Sequence, residues 1–247
     1  MIEGARIAVV VPAYDEEARI GGTLASVPAC VDSIVVVDDG SVDRTCEVVR
    51  ASPDPRVKLV VHDENRGVGA AIVTGYRVAF TDGADVAVVM GADGQMDPNE
   101  LESLARPVAS GRVDYAKGDR LGHRELASMP IERRIGNAVF STLTRAATGL
   151  SISDSQCGYT ALSRAAASRM DLDSLWPRYG YPNDLLARAA DAGLRVLDVP
   201  VRPIYAGEES GIGLWEGLVV IPGVIARVAL RRWLRVRHAS HAADPAE

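Results

Sequence analysis

Long hydrophobic runs, cysteine and basic charge are all scarce in this sequence of 247 residues. No stretch of 18 uncharged apolar residues occurs, which argues against a membrane-spanning helix. Glycine and proline are dispersed and no heptad pattern persists, so collagen and coiled-coil structures are excluded. Because 47% of the residues are apolar, an ordinary share for a folded chain, disorder is excluded as well. We therefore expect a globular protein.

The few cysteines and the acidic balance narrow the class of protein further. Cys30, Cys46 and Cys157 are widely spaced and form no CxxC pair, so neither a disulfide framework nor a zinc site is predicted. The N-terminus lacks a basic segment followed by an apolar core, so we expect no signal peptide and a cytoplasmic location. With 27 basic and 33 acidic residues the formal net charge is -6, which disfavours binding to nucleic acid.

Strand-like and helix-like patterns alternate along the first half of the chain. This order predicts an α/β protein with a doubly wound, mostly parallel sheet. Neither GxGxxG nor GxxxxGK[ST] is present, so a dinucleotide fold and a P-loop are disfavoured. The predicted strands are near residues 7–11, 33–37, 57–61, 86–90, 115–117, 158–162 and 195–201, and later helices are predicted over 131–148 and 183–192.

Polar residues collect directly after the predicted strands, where an open parallel sheet binds its ligands. Asp39 and Asp93 are predicted to converge there, and converging carboxylates repel each other unless a cation or ligand donor is present. Turn and cap roles are an equal alternative for a second set of residues, namely Asp38, Ser41, Asp43 and Asp97. Gly67 to Ala71 open a helix whose N-terminus could meet an anion, although close packing on the sheet is the favoured interpretation.

Four motifs carry a resemblance to a known family. They are Val11-Pro12-Ala13-Tyr14-Asp15-Glu16-Glu17, Val37-Asp38-Asp39-Gly40-Ser41-Val42-Asp43-Arg44-Thr45, Asn65-Arg66-Gly67-Val68-Gly69-Ala70-Ala71 and Ala92-Asp93-Gly94-Gln95-Met96-Asp97-Pro98. In this order and spacing they resemble glycosyltransferase family 2. Within it they are most similar to polyprenyl-phosphate sugar synthases of the dolichyl-phosphate mannose synthase type, over about residues 6–210.

The resemblance implies a GT-A fold over residues 1–212, with a nucleotide-binding half near 1–98 and an acceptor half near 99–212. It implies a divalent cation, Mg²⁺ or Mn²⁺, held by Asp93 and Gln95 on the diphosphate of a nucleotide sugar. Gly91 stands where the metal motif usually has its leading acid, which makes metal dependence less certain. The residues that the resemblance assigns to the nucleoside pocket are Pro12, Tyr14, Glu16, Asp39 and Asn65.

The acceptor half carries the second set of implied site residues. Arg120, Arg133 and Asn137 match positions that meet an acceptor phosphate, and arginine suits phosphate because its planar fork binds two oxygens. A solvated helix face with ordinary ion pairs is the alternative for the arginine motif. Asp154 is the candidate acceptor-side carboxylate and, with Asp93, a candidate catalytic residue. Residues 206–211 depart from the basic segment usual in the family, which weakens the lipid-phosphate assignment.

The predicted reaction is an inverting transfer of a sugar from a nucleoside-diphosphate sugar to a polyprenyl phosphate, dolichyl or undecaprenyl. A phosphate acceptor is already anionic and hardly needs a base, whereas a sugar hydroxyl would require Asp154 or Asp184 to accept its proton. The alternatives are a family 2 enzyme acting on a soluble or cell-surface glycan hydroxyl, or a catalytically silent nucleotide-sugar binding protein. All four histidines are expected to be bystanders.

A basic amphipathic helix is predicted from Pro222 to about Arg237, within a helical tail over 213–237. Arg227, Arg231 and Arg235 recur along one face, and an apolar face contains Ile225, Ala229, Trp233 and Val236. Docking on an anionic membrane surface, which would place the protein on the inner face of the cell membrane, and packing on the transferase core are equal alternatives. Residues 238–247 are expected to be disordered.

Overall fold

The computed structural model of the chain describes residues 1–205, 213 and 215–242, with side chains up to residue 234. Its centre is one seven-stranded sheet in the order β3-β2-β1-β4-β6-β5-β7. Every strand is parallel except β6, which lies antiparallel between β4 and β5. The predicted α/β class is confirmed. The strands are β1 (Ile7–Ala13), β2 (Ser33–Asp38), β3 (Val57–Val61), β4 (Val86–Val89), β5 (Tyr115–Asp119), β6 (Thr160–Ser163) and β7 (Val196–Pro200).

Helices cover both faces of this sheet. A 3₁₀ turn, Pro98–Glu100, precedes α4, a second one covers Leu126–Ser128, and a π-helical segment, Glu216–Val220, leads into the last helix. The α-helices are α1 (Ile20–Ser26), α2 (Thr45–Arg50), α3 (Val68–Thr81), α4 (Leu101–Ala109), α5 (Ile131–Thr148), α6 (Arg164–Ala167), α7 (Tyr181–Asp191) and α8 (Ile221–Ala242). The predicted limits of α5 match those observed.

The central strands are apolar on both faces because helices pack on each side. Along β1, Val9 and Val11 belong to the core under α1 and α4, whereas Ala8 and Val10 belong to the core under α3 and α7. Gly75 in α3 lets the helix lie directly on the sheet, since a Cβ there would come within 2.2 Å of Val10 Cγ1. This close packing fixes α3, and therefore the loop before it, relative to β1.

Cap assignments differ between the two predicted helix starts. Asp97 caps as predicted, because its side chain accepts a hydrogen bond from the Asn99 amide. Glu100, which stands at the capping-box position three residues after Asp97, instead accepts the Arg202 amide from the segment after β7. Ser41 does not cap α2, which begins only at Thr45; the Ser41 hydroxyl accepts the Asp15 amide and ties two loops together.

The last helix packs on α5 and α7 through its apolar side. Ile221, Ile225 and Val228 are buried in a cluster that includes Ala147 of α5 and Ala187 of α7, and Val224 is buried as well. No described helix is long and apolar enough to cross a membrane. The helix continues to Ala242, five residues into the segment expected to be disordered, while residues 206–212 and 243–247 lie outside the described part of the chain.

Two of the three arginines predicted to face lipid are instead engaged with protein. Arg231 forms ion pairs with Asp184 at 3.3 Å and Asp191 at 3.4 Å, and the Arg227 guanidinium lies 5.7 Å from the ring centre of Trp176. The side chain of Arg235, the third member of the stripe, is outside the described side chains. The prediction of a free basic face is therefore wrong for Arg231, because two carboxylates of α7 attract it, whereas Arg227 stays exposed beside the Trp176 ring.

Candidate active site

The predicted loops after β1 to β5 all lie at one edge of the sheet, because those five strands run in the same direction. The loop after β7 joins them, since β7 is parallel to β5. Two segments that are far apart in sequence therefore form the walls of one crevice. One is the nucleotide motif region, and the other is the segment after β7, which the sequence reasoning did not assign to the site.

Asp39 lies buried at the inner end of the nucleoside region and holds the loop before α3. Its Oδ1 accepts the Arg66 amide at 3.0 Å, and its Oδ2 accepts the Gly67 amide at 2.7 Å. His62 Nδ1 lies 2.7 Å from Asp39 Oδ1, and its Nε2 lies 2.9 Å from the Thr74 hydroxyl. His62 is thus a buried partner of Asp39 rather than an exposed bystander. Its place directly after a strand was the available sequence signal.

The other predicted nucleoside residues surround this point at the mouth of the crevice. Tyr14 is 45% exposed, so its ring is available to a ligand. Asn65 is contacted by Arg178, whose guanidinium lies 3.3 Å from both the side-chain and the main-chain oxygen of Asn65. Glu16 is partly buried, and burial raises the pKa of its carboxyl, with Arg19 opposing the effect and the charge of Asp93 adding to it. Pro12 belongs to β1 in this region.

The N-terminus of α3 is filled by protein rather than open to an anion. The amides of Gly69 and Ala70 donate to the Pro177 carbonyl, at 2.8 and 3.3 Å. A Cβ on Gly67 would come within 2.4 Å of the Pro177 oxygen, and one on Gly69 within 2.4 Å of the Trp176 oxygen. The glycines are therefore explained by close packing, the favoured interpretation, because only a residue without a side chain admits this backbone.

Asp93 and Gln95 line the same cavity as Arg120, Tyr159, Arg202 and Tyr205. Asp93 Oδ1 accepts the Gln95 amide at 3.0 Å, which fixes the turn. At Gly91 a Cβ would lie 3.0 Å from Asp93 Oδ1, so the site of the missing acid directly faces Asp93. The described residues contain no cluster of three or more His, Cys, Asp or Glu that could hold a metal alone. Two protein oxygens completed by a diphosphate would still suit Mg²⁺ or Mn²⁺.

The Arg120 side chain lines this cavity, and a fully buried carboxylate, Asp154, binds it. Its Nε donates to Asp154 Oδ2 at 2.7 Å and its Nη2 to Asp154 Oδ1 at 3.1 Å. The Gln156 amide and the Asn137 side chain also lie against Asp154, at 3.1 and 3.5 Å. Burial opposes ionisation of Asp154, but Arg120 and then Lys117 outweigh it and lower its pKa to about 2. Asp154 is therefore an anion that orients Arg120.

Tyr205 and Arg202 are site residues that the sequence reasoning missed. The Tyr205 hydroxyl lies 3.5 Å from Arg120 Nη1, and the Arg133 guanidinium lies 4.7 Å from the centre of the Tyr205 ring. Tyr205 thus joins two predicted acceptor arginines. Arg202 lines the cavity while its Nε donates to Glu125. Their position just after β7 was the only sequence signal.

Asp184, the second candidate proton acceptor, is enclosed in an ion network away from the cavity. It accepts the Trp176 amide at 2.9 Å and Arg188 Nε at 3.1 Å, and it also pairs with Arg231 of α8. The side chain is 2% exposed. This arrangement joins α7, α8 and the segment over α3, which makes Asp184 a structural residue.

Comparison with known proteins identifies the family of this chain. A model of "Glycosyl transferase family 2" matches residues 8–170. The chain is 30% identical over 215 residues to the UDP-N-acetylglucosamine–dolichyl-phosphate N-acetylglucosaminyltransferase of Methanococcus voltae, covering 81% of this chain and 86% of the relative. It is 30% identical over 234 residues to the undecaprenyl-phosphate mannosyltransferase of Micrococcus luteus, covering 92% and 93%. It is 32% identical over 220 residues to the polyprenol monophosphomannose synthase of Mycolicibacterium smegmatis, covering 86% and 82%.

A solved structure shares the fold. Glucosyl-3-phosphoglycerate synthase from Mycobacterium tuberculosis, in complex with Mn²⁺, uridine diphosphate and glucosyl-3-phosphoglycerate, matches with a TM-score of 0.68 at 22% identity. The match covers 92% of this chain and 80% of that one. Because the family model spans more than half of the sequence and relatives at 30% identity or above span most of it, this chain belongs to glycosyltransferase family 2.

Proposed function

We propose that this enzyme transfers a sugar from a nucleoside-diphosphate sugar to a polyprenyl phosphate, with inversion at the anomeric carbon. One observation carries the proposal: a buried carboxylate, Asp154, aims the guanidinium of Arg120 into the cavity that Asp93 and Gln95 line. A cation so oriented is suited to an anionic acceptor, because arginine binds phosphate oxygens in a planar, bidentate manner. The relatives named for dolichyl, undecaprenyl and polyprenol phosphates support the same acceptor class.

The state of Asp154 favours a phosphate acceptor over a hydroxyl. A hydroxyl must lose its proton as it attacks, so a base within hydrogen-bond reach is required. Asp154 has a pKa of about 2, no exposed surface, and both oxygens occupied by Arg120. Asp184 is engaged by Arg188 and Arg231. A phosphate monoester needs no such base, because at neutral pH it is already largely anionic.

At the donor side, the diphosphate and the nucleoside lie on the β1 to β4 edge. We assign Asp93 and Gln95 as ligands of a divalent cation, Mg²⁺ or Mn²⁺, which would neutralise the charge of the leaving diphosphate. Asp39, fixed by His62 and two amides, is assigned to accept a hydrogen bond from the base. Pro12, Tyr14, Glu16 and Asn65 complete this pocket. An Asp93→Ala variant should lose the metal-dependent part of donor binding in calorimetry and keep the metal-independent part.

An exposed apolar surface lies next to the acceptor arginines, and we assign it to the bilayer. Ile131, Ile135, Val139 and Leu143 recur at every fourth position of α5 and are 44–59% exposed. Spacing of four places them on one side of the helix, while Arg133 and Asn137 reach the site from other sides. Such a stripe beside cationic residues fits an anionic membrane surface that contains the lipid acceptor. The enzyme would then be peripheral on the inner face of the cell membrane.

The α8 helix, which packs on α5, carries a second group of exposed apolar residues. Leu230, Trp233 and Leu234 are 44–57% exposed, whereas the helix arginines Arg227 and Arg231 contact protein. Lipid contact through α8 is therefore assigned to apolar side chains, with Trp233 suited to the interface because tryptophan combines an apolar ring with a polar N–H.

The acceptor proposal is tested by a transfer assay with purified protein. Uridine- and guanosine-diphosphate sugars are each supplied with Mg²⁺ or Mn²⁺ and either undecaprenyl phosphate, dolichyl phosphate or a panel of glycans. We expect product only with the polyprenyl phosphates. Transfer to a glycan hydroxyl alone would replace the acceptor assignment, and donor binding without turnover on any acceptor would favour the silent binding protein.

The membrane proposal is tested by sedimentation with vesicles of phosphatidylglycerol and phosphatidylcholine. Ile135→Glu with Val139→Glu should reduce the bound fraction strongly, because carboxylates on the apolar stripe oppose insertion and repel an anionic surface. Val61→Glu, at an exposed position on β3, serves as the matched control and should bind like the wild type. Equal sedimentation of the stripe variant and the wild type would exclude α5 as the docking face.

A further inference from the structure

Lys117 is a buried charge to which the proposed reaction assigns no role. The chain has only two lysines, Lys58 and Lys117. Lys58 is half exposed on β3 and pairs with Asp82 at 2.7 Å. Lys117 on β5 is 0% exposed. Removing an ammonium group from water is costly unless charges and hydrogen bonds compensate it, so a buried lysine requires a physical reason.

The charge of Lys117 acts on two carboxylates, the buried Asp154 and the partly buried Asp198. Lys117 is paired in register with Asp198 on β7. Its Nζ donates to the Gly118 carbonyl at 3.3 Å. No salt bridge joins it to either carboxylate in the described chain, so Lys117 acts on them as a charge at longer range, which is effective where water is excluded.

Asp198 connects this charge to the backbone that carries Asp154. The Ser153 amide donates to Asp198 Oδ2, and Ser153 directly precedes Asp154 in the chain. Asp198 Oδ1 is buried without a hydrogen-bond partner among the described residues. Burial accordingly raises the pKa of Asp198, with Lys117 opposing the effect. The backbone beside Asp154 thus depends on Asp198 as a hydrogen-bond acceptor, a role that asparagine can also fill.

Charge balance explains why removal of Lys117 would disturb Arg120. Asp154 and Asp119 are buried and Asp198 is partly buried, and the hydrogen bonds described for Asp119 come from the Leu121 and Gly122 amides to its Oδ1. Without Lys117, the positive charge that acts on these carboxylates would come from Arg120. Arg120 would then be drawn more strongly toward them and be less available to an incoming phosphate.

We infer that Lys117 is a positioning residue that holds the Asp154–Arg120 pair in the geometry that receives the acceptor phosphate. The inference rests on the proposed function, since it assumes that Arg120 contacts the acceptor. It concerns the acceptor side alone, because the contacts of Lys117 do not extend to Asp39 or Asp93 in the described chain. The expected signature is therefore a change in acceptor KM without a change in donor affinity.

The experiment compares five variants in the polyprenyl-phosphate transfer assay at saturating donor. Lys117→Met should raise the acceptor KM roughly tenfold, the effect of losing about one pKa unit of charge interaction, with donor Kd unchanged and kcat reduced less. Lys58→Met removes the other strand lysine and should leave acceptor KM and kcat at wild-type values. Asp198→Asn keeps Lys117 and should change acceptor KM less than threefold.

The double variant Lys117→Met, Asp198→Asn separates positioning from folding. It removes a cation and an anion together, so its melting temperature should recover toward that of the wild type while its acceptor KM stays raised. A double variant with wild-type acceptor KM would overturn the inference, as would a double variant that does not fold, because Lys117 would then have a structural role.

Arg120→Ala distinguishes this result from failure of the proposed function. If Arg120→Ala leaves the acceptor KM unchanged, the acceptor assignment itself is wrong. If Arg120→Ala raises the acceptor KM and the double variant does not, only the role of Lys117 is wrong.

Discussion

The two halves of the sheet hold their carboxylates in different ways. In the nucleotide-binding half, backbone amides do so: Arg66 and Gly67 donate to Asp39, and Ser41 donates to Asp38. In the acceptor half, arginine side chains do so: Arg120 binds Asp154, while Arg188 and Arg231 bind Asp184. Asp119 of the acceptor half is held by amides like Asp38 and Asp39, so among the described buried carboxylates the pairing with arginine is confined to Asp154 and Asp184.

This difference matches what each half must receive. Amides hold a carboxylate in place without cancelling its charge, which leaves it able to bind a cation or a base N–H. An arginine that is fixed by a buried carboxylate still has guanidinium N–H groups that can donate to another anion. Under the proposed function, the amide-held Asp39 suits an N–H partner of the donor, and the Asp154–Arg120 pair suits an acceptor phosphate.

The largest effect should follow from breaking the Asp154–Arg120 pair. Asp154→Asn keeps the shape and removes the charge, so Arg120 loses its anchor and a buried cation is left uncompensated, which costs about 3–5 kcal/mol in other proteins. We expect transfer to fall by about 100-fold or more, with donor binding retained in calorimetry. Asp173→Asn, at an exposed acid, is the control. Normal transfer by a folded Asp154→Asn enzyme would contradict the role of this pair.

A smaller effect is expected from the amide-held carboxylate of the donor half. Asp39→Asn changes one acceptor oxygen into a donor that opposes the Arg66 or Gly67 amide, so the loop loses about 1–3 kcal/mol of hydrogen-bond energy. Donor affinity should fall about tenfold or more, equally with and without metal. Asp63→Asn, exposed just after β3, should bind like the wild type. Loss of acceptor affinity alone would refute the division between the halves.

The packing of α3 gives a third, purely structural prediction. Gly69→Ala introduces a Cβ 2.4 Å from the Trp176 oxygen and should lower the free energy of unfolding by about 1–3 kcal/mol. Gly22→Ala in α1 meets nothing within 4 Å and should instead stabilise by up to about 1 kcal/mol through helix propensity. Urea unfolding measures both. Equal stability of the two variants would show that the backbone around Trp176 can shift away from α3 at little energetic cost.

The smallest expected effect is a loss of unfolding free energy at low pH. The pKa of Asp154 is lowered to about 2 in the folded protein, below its ordinary value of 3.8. Its contribution to stability, on the order of 2 kcal/mol, is therefore complete above about pH 4 and is lost as pH falls toward 2. Over that interval the wild type should lose more unfolding free energy than Asp154→Asn. Parallel curves for the two proteins would mean that Asp154 is not a strongly paired anion.

The sequence by itself determined the strand pattern, the family and most of the nucleotide-binding half. Its strands are continuous apolar runs, and the residues of each loop are close in the chain, as in Asp93 with Gln95. Asp97 could be assigned as a cap for the same reason. Signals of this kind depend on neighbours a few residues away, so they can be read without the fold.

Only the tertiary structure decided the roles of residues whose partners are distant in the chain. Arg120 and Asp154 are 34 residues apart and His62 and Asp39 are 23 apart, and neither pairing has a local sequence signal. The antiparallel insertion of β6 between β4 and β5 brings such segments together. The arginines of α8 pair with Asp184, Asp191 and Trp176 for the same reason. Amphipathic spacing defines which face a helix presents, but what lies against that face depends on the path of the rest of the chain.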